Sequence, residues 1–199
     1  MRWCEPFGER LSPYHDRMSS LWEPLSSLTP VGPVRGMRAA VLVPVYEHEG
    51  DLRLIMTKRP DDMRHHPGDV VFPGGMIEPE DDGPVGAAIR EANEEIGLPP
   101  ENVLEILGAL EPVHARSLIM RIVPVVARVS RPETLVPHPG EVAAIIEPSV
   151  SELLHDEHWR TGRWGGRTMW FYEFDDGVLW GATAHMVRIL LGYFRPAVP

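Results

Sequence analysis

Three glutamates in the run Arg90-Glu91-Ala92-Asn93-Glu94-Glu95-Ile96-Gly97-Leu98 have the type and spacing to do chemistry. Glu91 and Glu95 are four apart and Glu91 and Glu94 three apart. On a helix of ~3.6 residues per turn such positions share a face, so the three carboxylates project within an arc of roughly 100°. Like charges held so close repel unless something positive sits among them, and hard oxygen donors of this kind suit Mg²⁺ or Mn²⁺. Arg90, four residues before Glu94, can neutralise part of the cluster. Taken alone, an E-x-x-E-E run is most simply a solvated acidic face. Beside it lies the Gly74-Gly75 pair, where a turn without side chains lets the main chain approach an ion or a phosphate closely, and a turn next to a carboxylate-rich helix suggests a metal site as the alternative.

These carboxylates need a helix and a turn to present them. Pro84, Ala87, Ala88 and Ile89 read as early turns of a helix, Gly97 as its left-handed stop and Pro99-Pro100 as the block to continuation, which predicts a helix from about Pro84 to Ile96. Met37 to Tyr46 is apolar and β-branched like a buried strand, Gly50 turns the chain, and Leu52 to Thr57 is expected as the partner strand. Further strands are expected over Val103–Ala109, Met120–Val129 and Thr168–Phe174. Pro124 inside the second of these predicts an edge or bulge position. Glu147 to Leu154 reads as a turn into a helix, and Gly181 to Tyr193 has helical spacing with Ala182, Met186, Ile189, Leu190 and Tyr193 facing inward. Periodicity by itself gives an α+β or α/β fold.

The stretch Gly75, Asp81, Arg90-Glu91-Ala92, Glu94-Glu95, Gly97-Leu98 resembles the signature box of the Nudix hydrolases, with Asp81 for the usual glutamate and a spacer longer by one residue. Immediately upstream, TKRPDDMRHHPGDVVFPGG resembles the pattern T-x-R-S/A-x3-R-x3-G-x3-F-P-G-G of coenzyme A pyrophosphatases within that superfamily; Thr57, Arg59, Arg64, Gly68, Phe72, Pro73, Gly74 and Gly75 match in register, and Pro60 departs. LWGATA, from Leu179, is similar to the C-terminal region of the same subfamily. The resemblance implies an α/β/α sandwich with a mixed central sheet and a metal-dependent pyrophosphohydrolase. It implies Glu91, Glu94 and Glu95 as metal ligands together with the Gly74 carbonyl. The general base varies across the family, which leaves Glu91, Glu94 and Glu141, the last in the P-x-x-E-V-like segment PHPGEV, as catalytic candidates. Arg59 and Arg64 could grip phosphates bidentately, with Gly75 lining the same subsite, and coenzyme A offers both a pyrophosphate and a 3′-phosphate. The implied products are 3′,5′-ADP and 4′-phosphopantetheine or its acyl derivative. Nudix hydrolysis of another nucleoside diphosphate derivative, such as ADP-ribose or a dinucleotide, and a non-catalytic nucleotide-sensing module are the alternatives. Pro112 to Val123 lacks the S-G-F-like turn of the relatives, having Ser117-Leu118-Ile119.

At 199 residues the chain can bury one full core, and 43% hydrophobic content is ordinary for a globular domain. The expected organisation is a proline-rich arm over residues 1–36, packed on a Nudix hydrolase domain over residues 37–199. A formal charge of −10 argues against nonspecific binding to nucleic acid or an anionic membrane, and makes a polyanionic substrate depend on local cations such as Lys58, Arg59 and Arg64. A single cysteine, Cys4, rules out an internal disulfide and a multi-cysteine zinc site. No run of apolar residues reaches membrane-spanning length and the N-terminus lacks a signal-peptide core, so a soluble, cytoplasmic protein is expected. The expected partner is a coenzyme A-like small molecule; the sequence leaves oligomeric state open, a homodimer included. His65 and His66 read as packing or hydrogen-bonding residues, because imidazole is not a preferred ligand of Mg²⁺. His155 and His158 lack a ligand set for zinc. The tryptophans Trp159, Trp164, Trp170 and Trp180 read as core and edge packing.

Overall fold

The computed structural model describes residues 21–32, 36–63, 66–114, 121–164 and 166–195. Arg64, His65 and the Ser117–Ile119 turn lie outside the described residues.

Elements are numbered over the described residues. The chain runs β1 (Met37–His48), β2 (Asp51–Leu54), β3 (Met56–Lys58), β4 (Asp69–Val71), β5 (Gly74–Met76) and helix α1 (Gly83–Ile96). There follow β6 (Val103–Ala109), β7 (Val113–His114), β8 (Arg121–Val129), β9 (Ala144–Ile146) and a short α2 (Val150–Leu153). Strands β10 (Trp159–Trp164), β11 (Arg167–Phe174) and β12 (Gly177–Trp180) lead into α3 (Gly181–Tyr193). This is an α+β architecture, as the resemblance implies, with the strands divided between two mixed sheets. One has the order β2-β1-β8-β6, with β5 also on β1 and β7 also on β8; the other has the order β10-β11-β12-β4-β3-β9.

The division explains the residue types. Strand β1 pairs parallel with β8 in the middle of the first sheet and is buried on both faces, so it reads as a continuous apolar run. Ala40 and Leu42 turn to the side covered by α1, where Ala87, Ala88, Ala92 and Ile96 lie. Val43 and Val45 turn to the other side, to a core built with Leu179 of the second sheet and with Met186, Val187, Leu190 and Leu191 of α3. Leu25 and Leu28 are buried in this second core, and Thr29 bridges to Ala109.

Two strand expectations change. Leu52 to Thr57 is one strand in the sequence pattern and two in the structure. β2 stays on β1, while β3 pairs with β4 and β9 in the second sheet. The break falls at Ile55, whose amide donates to the Pro44 carbonyl at 3.1 Å. Further along the same side of β1, Leu42 donates to Pro73 O at 2.8 Å as the chain returns from β4 to β5. The chain therefore switches sheets twice beside β1, and the second switch delivers Gly74 to the N-terminal half of that strand. Pro124 lies in an interior strand, between β1 and β6, and not at an edge. Its missing donor is tolerated because the neighbouring chain is interrupted there. The β6 ladder ends at Ala109↔Val125 and β7 resumes at Val113↔Ile122, while Pro124 O still accepts from Leu110 N at 3.0 Å.

Helix α1 starts and stops nearly as its sequence predicts. Pro84 sits in the first turn, and Gly97 adopts φ 64°, donating its amide back to Ala92 and Asn93. The expected α3 covers Gly181–Tyr193 with Met186 and Leu190 buried.

Candidate active site

Small residues set the position of the acidic helix. Ala87, Ala88 and Ala92 bring α1 close against the first sheet, and the next residue on that face at the C-terminal end is Glu95, only 7% exposed. Glu91 is half-buried and Glu94 exposed. The three carboxylates therefore share an arc of the helix and differ in environment.

Arg90 organises two of them. Its Nε donates to Asp81 Oδ1 at 2.9 Å and its Nη2 to Asp81 Oδ2 at 3.0 Å, a fork on one carboxylate. Nη1 reaches Glu91 at 3.1 Å and Glu94 at 3.2 Å, and Nη2 also reaches the Met76 carbonyl at 3.0 Å. The Arg90–Glu94 pair is the one the i,i+4 spacing predicts; the anchoring role of Asp81 is not visible in spacing, because it depends on the turn before the helix folding back. Hydrogen bonding from Arg90, helped by the Glu78 amide, holds the Asp81 carboxyl below its ordinary range.

Glu95 has no such counter-charge. Burial is the main influence on it, and the negative charges of Glu91 and Glu141 add to it, so its pKa is pushed up to about 8 against an opposing amide hydrogen bond from Gly74 and the nearby charge of Arg59. Glu91 is also raised, by burial first, with Arg90 opposing and with Glu94 and Glu141 contributing. Glu141 thus belongs to the same electrostatic cluster, although it is 46 residues from Glu95 in sequence. Its loop is strapped to the end of α1. Val136 N donates to Ile96 O at 2.9 Å and His138 N to Glu95 O at 2.7 Å, satisfying carbonyls that a helix C-terminus leaves open. Ala143 N then donates to Lys58 O at 2.8 Å, fixing the loop to the strand that leads into Arg59.

The glycine pair makes the approach possible. A Cβ at Gly75 would fall on the Glu91 carboxylate, and one at Gly74, whose φ is 159°, would strike the Ala40 carbonyl and the Val41 backbone. Arg59 is half-buried, its Nε finds no hydrogen-bond partner among the described residues, and its charge acts on Glu95. Asp61, one of the acids that could have occupied Arg59, is bound by Lys58 at 3.2 Å instead. The fold thus brings Gly74, Gly75, Arg59, Glu91, Glu94, Glu95 and Glu141 together.

The donor set fits a hard divalent cation, being made of carboxylates with a buried member that lacks compensating charge. Among the described residues no three acidic or imidazole groups converge to hold an ion as they stand, since Glu91 and Glu94 are engaged by Arg90. A bound divalent ion would supply the charge that a pyrophosphate needs neutralised and would acidify a water. His155 and His158 lie with ring centroids 5.5 Å apart and tilted by 34° on an exposed turn, His155 facing Glu157, with no metal-ligand set among the described residues. Trp159 is buried and donates to Leu153 O at 2.9 Å, with Arg188 over its ring and that of Trp170, which is packing.

The NUDIX domain profile matches residues 36–164, well over half of the chain. The chain belongs to the Nudix family. It is 37% identical over 158 residues to Nudix hydrolase 15, mitochondrial, of Arabidopsis thaliana, covering 74% of this chain and 55% of that protein. It is 38% identical over 159 residues to the uncharacterized Nudix hydrolase NudL of Enterobacter sp. strain 638, covering 77% of this chain and 80% of that one. The chain thus spans about half the length of the plant relative and four fifths of the bacterial one. The Nudix hydrolase RenU of M. smegmatis shares the fold, with a TM-score of 0.50 and 23% identity over 59% of this chain and 73% of that one. Among the described residues no helix is long and apolar enough to cross a membrane.

Proposed function

We propose that this Nudix chain hydrolyses the pyrophosphate of coenzyme A or an acyl derivative in a reaction that requires Mg²⁺ or Mn²⁺, yielding 3′,5′-ADP and 4′-phosphopantetheine or its acylated form. The observation that carries the proposal is the pairing of a buried, under-compensated Glu95 with a half-buried Arg59 whose Nε lacks a partner. One needs a cation and the other an anion. A metal-bound pyrophosphate provides both.

In this reading Glu91, Glu94 and Glu95, with the Gly74 main chain, hold the metal. Glu141 is the general-base candidate, because it is exposed to water, enters from a loop pinned to the helix end, and acts electrostatically on both Glu91 and Glu95. Gly75 leaves room for the Glu91 carboxylate, and Arg59 orients the phosphates. Arg64, from the same upstream motif, is assigned to the 3′-phosphate. The substrate is a small molecule in the cytoplasm, and a homodimer remains compatible with this reading.

Product analysis with coenzyme A, dephospho-coenzyme A and ADP-ribose, each with Mg²⁺, with Mn²⁺ and with chelator, tests the proposal. Metal-dependent 3′,5′-ADP from coenzyme A, well above turnover of the other two, is the expected result. A preference for ADP-ribose would retain the metal chemistry and remove the substrate assignment. Absence of turnover with all three would favour a nucleotide-sensing module.

A further inference from the structure

Arg59, the described arginine of the proposed phosphate site, directly follows β3, and something must hold it near the acids. The two ends of the Arg59–Gly68 loop meet at Asp69. The Asp69 carbonyl accepts from Arg59 N at 3.0 Å, and the Gly68 amide returns to Pro60 O at 3.4 Å. The Asp69 side chain is 16% exposed, and each oxygen has a separate donor. Oδ1 accepts from Trp180 Nε1 at 2.7 Å, and Oδ2 lies 2.9 Å from His66 Nδ1. His66 is held at φ 53°, a conformation unfavourable for a non-glycine residue that persists only where neighbours impose it. Trp180 is itself anchored. It lies flat beside Phe171, with ring centroids 6.4 Å apart and planes 5° apart, and it is the last residue of β12 before α3.

We infer that Asp69 is a positioning residue: its carboxylate ties the strand end to which Arg59 N is hydrogen-bonded to Trp180, 111 residues away, and thereby sets Arg59 near the acidic cluster. Three features carry the assignment. Strand β4 is only three residues long and pairs with β12 through Val178↔Asp69 and Leu179↔Val70, so backbone pairing alone holds this junction weakly. The carboxylate is mostly buried, and its ion-pair partner among the described residues is an imidazole, not a lysine or arginine. Its duties are all as an acceptor, and they lead to one element, the loop, and one anchor, the β12–α3 junction. The inference rests on the proposed role of Arg59 for its effect on catalysis, and on geometry alone for its effect on the loop.

The test compares Asp69→Ala, Asp69→Asn, Trp180→Phe, Arg59→Ala and the Asp69→Ala/Trp180→Phe double variant. Steady-state kinetics with coenzyme A and Mg²⁺ are read beside amide hydrogen exchange of residues 59–69. Trp180→Phe keeps the ring and removes only the N–H donor. Asn at 69 keeps an acceptor for Trp180 and offers an N–H to the His66 ring, so it should rescue what Ala loses. Asp69→Ala and Trp180→Phe are each expected to raise KM about tenfold with kcat changed less than about threefold, and to combine without adding, because both cut one connection. Faster exchange of the loop amides should accompany both. If Arg59→Ala raises KM while Asp69→Ala and Trp180→Phe do not, the clamp is overturned and the substrate reading stands. If Arg59→Ala leaves KM unchanged, the substrate reading fails, and loop exchange alone decides: native protection in Asp69→Ala overturns the clamp, and lost protection upholds it. Asp69→Asn as damaging as Asp69→Ala, with Trp180→Phe near wild type, would also overturn it, since the contact that matters would then be the charged one to His66 and not the tie to Trp180.

Discussion

Glu147 and Glu95 show two ways of keeping a carboxylate inside this protein. Glu147 meets Arg131 in a fork, at 2.6 Å from Nε and 3.0 Å from Nη2, while its carbonyl takes Arg53 Nη1 at 2.9 Å. Tyr46 packs on the same group, and its hydroxyl is pushed up to about 12, by burial first and by the Glu147 charge second. The residues around it line a cavity of about 460 Å³ without another acid cluster. Glu95 is more buried and has only one amide and the weaker pull of Arg59 against two negative neighbours. A carboxylate with a structural role arrives with its counter-charge folded in. In the proposed reading, one left short of it marks the place where an external cation belongs.

Removing the under-compensated acid should have the largest effect. Glu95→Gln is expected to lower metal-dependent turnover on the order of 10²–10⁴-fold, the range typical of losing a group used directly in the chemistry, with the fold kept; near-normal rates would end the ligand assignment. Crowding its neighbour comes next. Gly75→Ala places a methyl against Glu91, and a loss of about 10–100-fold in kcat/KM is expected, with thermal unfolding little changed.

The contrast also has a pH signature. Because the Glu95 pKa is raised from 4.5 to about 8 in the folded state, the unfolded chain releases its proton first as pH rises. Folded stability in chelator should therefore fall from about pH 4.5 towards pH 8, with the slope reduced in Glu95→Gln to what the raised Glu91 contributes, and reduced also by added Mg²⁺. Thermal unfolding across that window reads the slope directly, and a flat profile in the wild type would contradict the shift. The compensated site should give the smallest effect on chemistry. Arg131→Ala removes the fork from the partly exposed Glu147 and should cost about 1–2 kcal/mol of stability in denaturant titrations, with kcat/KM within about twofold of wild type. A large loss of activity there would mean that the two centres are coupled.

Local signals were legible where local physics decides. The α1 boundaries followed from Pro84 and Gly97, and the shared face of Glu91, Glu94 and Glu95 from the helical repeat. The Arg90–Glu94 pair followed from i,i+4 spacing. The split at Ile55 was not legible, because a strand passing between two sheets keeps one apolar pattern while its hydrogen-bond partners change. Pro124 misled for a related reason: the interruption that accommodates it belongs to the neighbouring chain segment, at Leu110–Pro112, and not to its own strand. Asp81 and Asp69 carry no periodic signal, since their partners Arg90 and Trp180 reach them through a folded-back turn and a parallel strand pairing.

The sequence by itself determined the Nudix box, the helix that displays it, the chemistry of its donors and the acidic balance of the chain, because these depend on residue type and on spacing within one element. Only the tertiary structure decided that Glu95 is the buried acid and Glu94 the exposed one, that Arg59 lies near it, and that Glu141 enters the cluster from a distant loop. Burial and Coulomb interaction depend on what packs across from a residue, and a linear pattern holds no record of that distance.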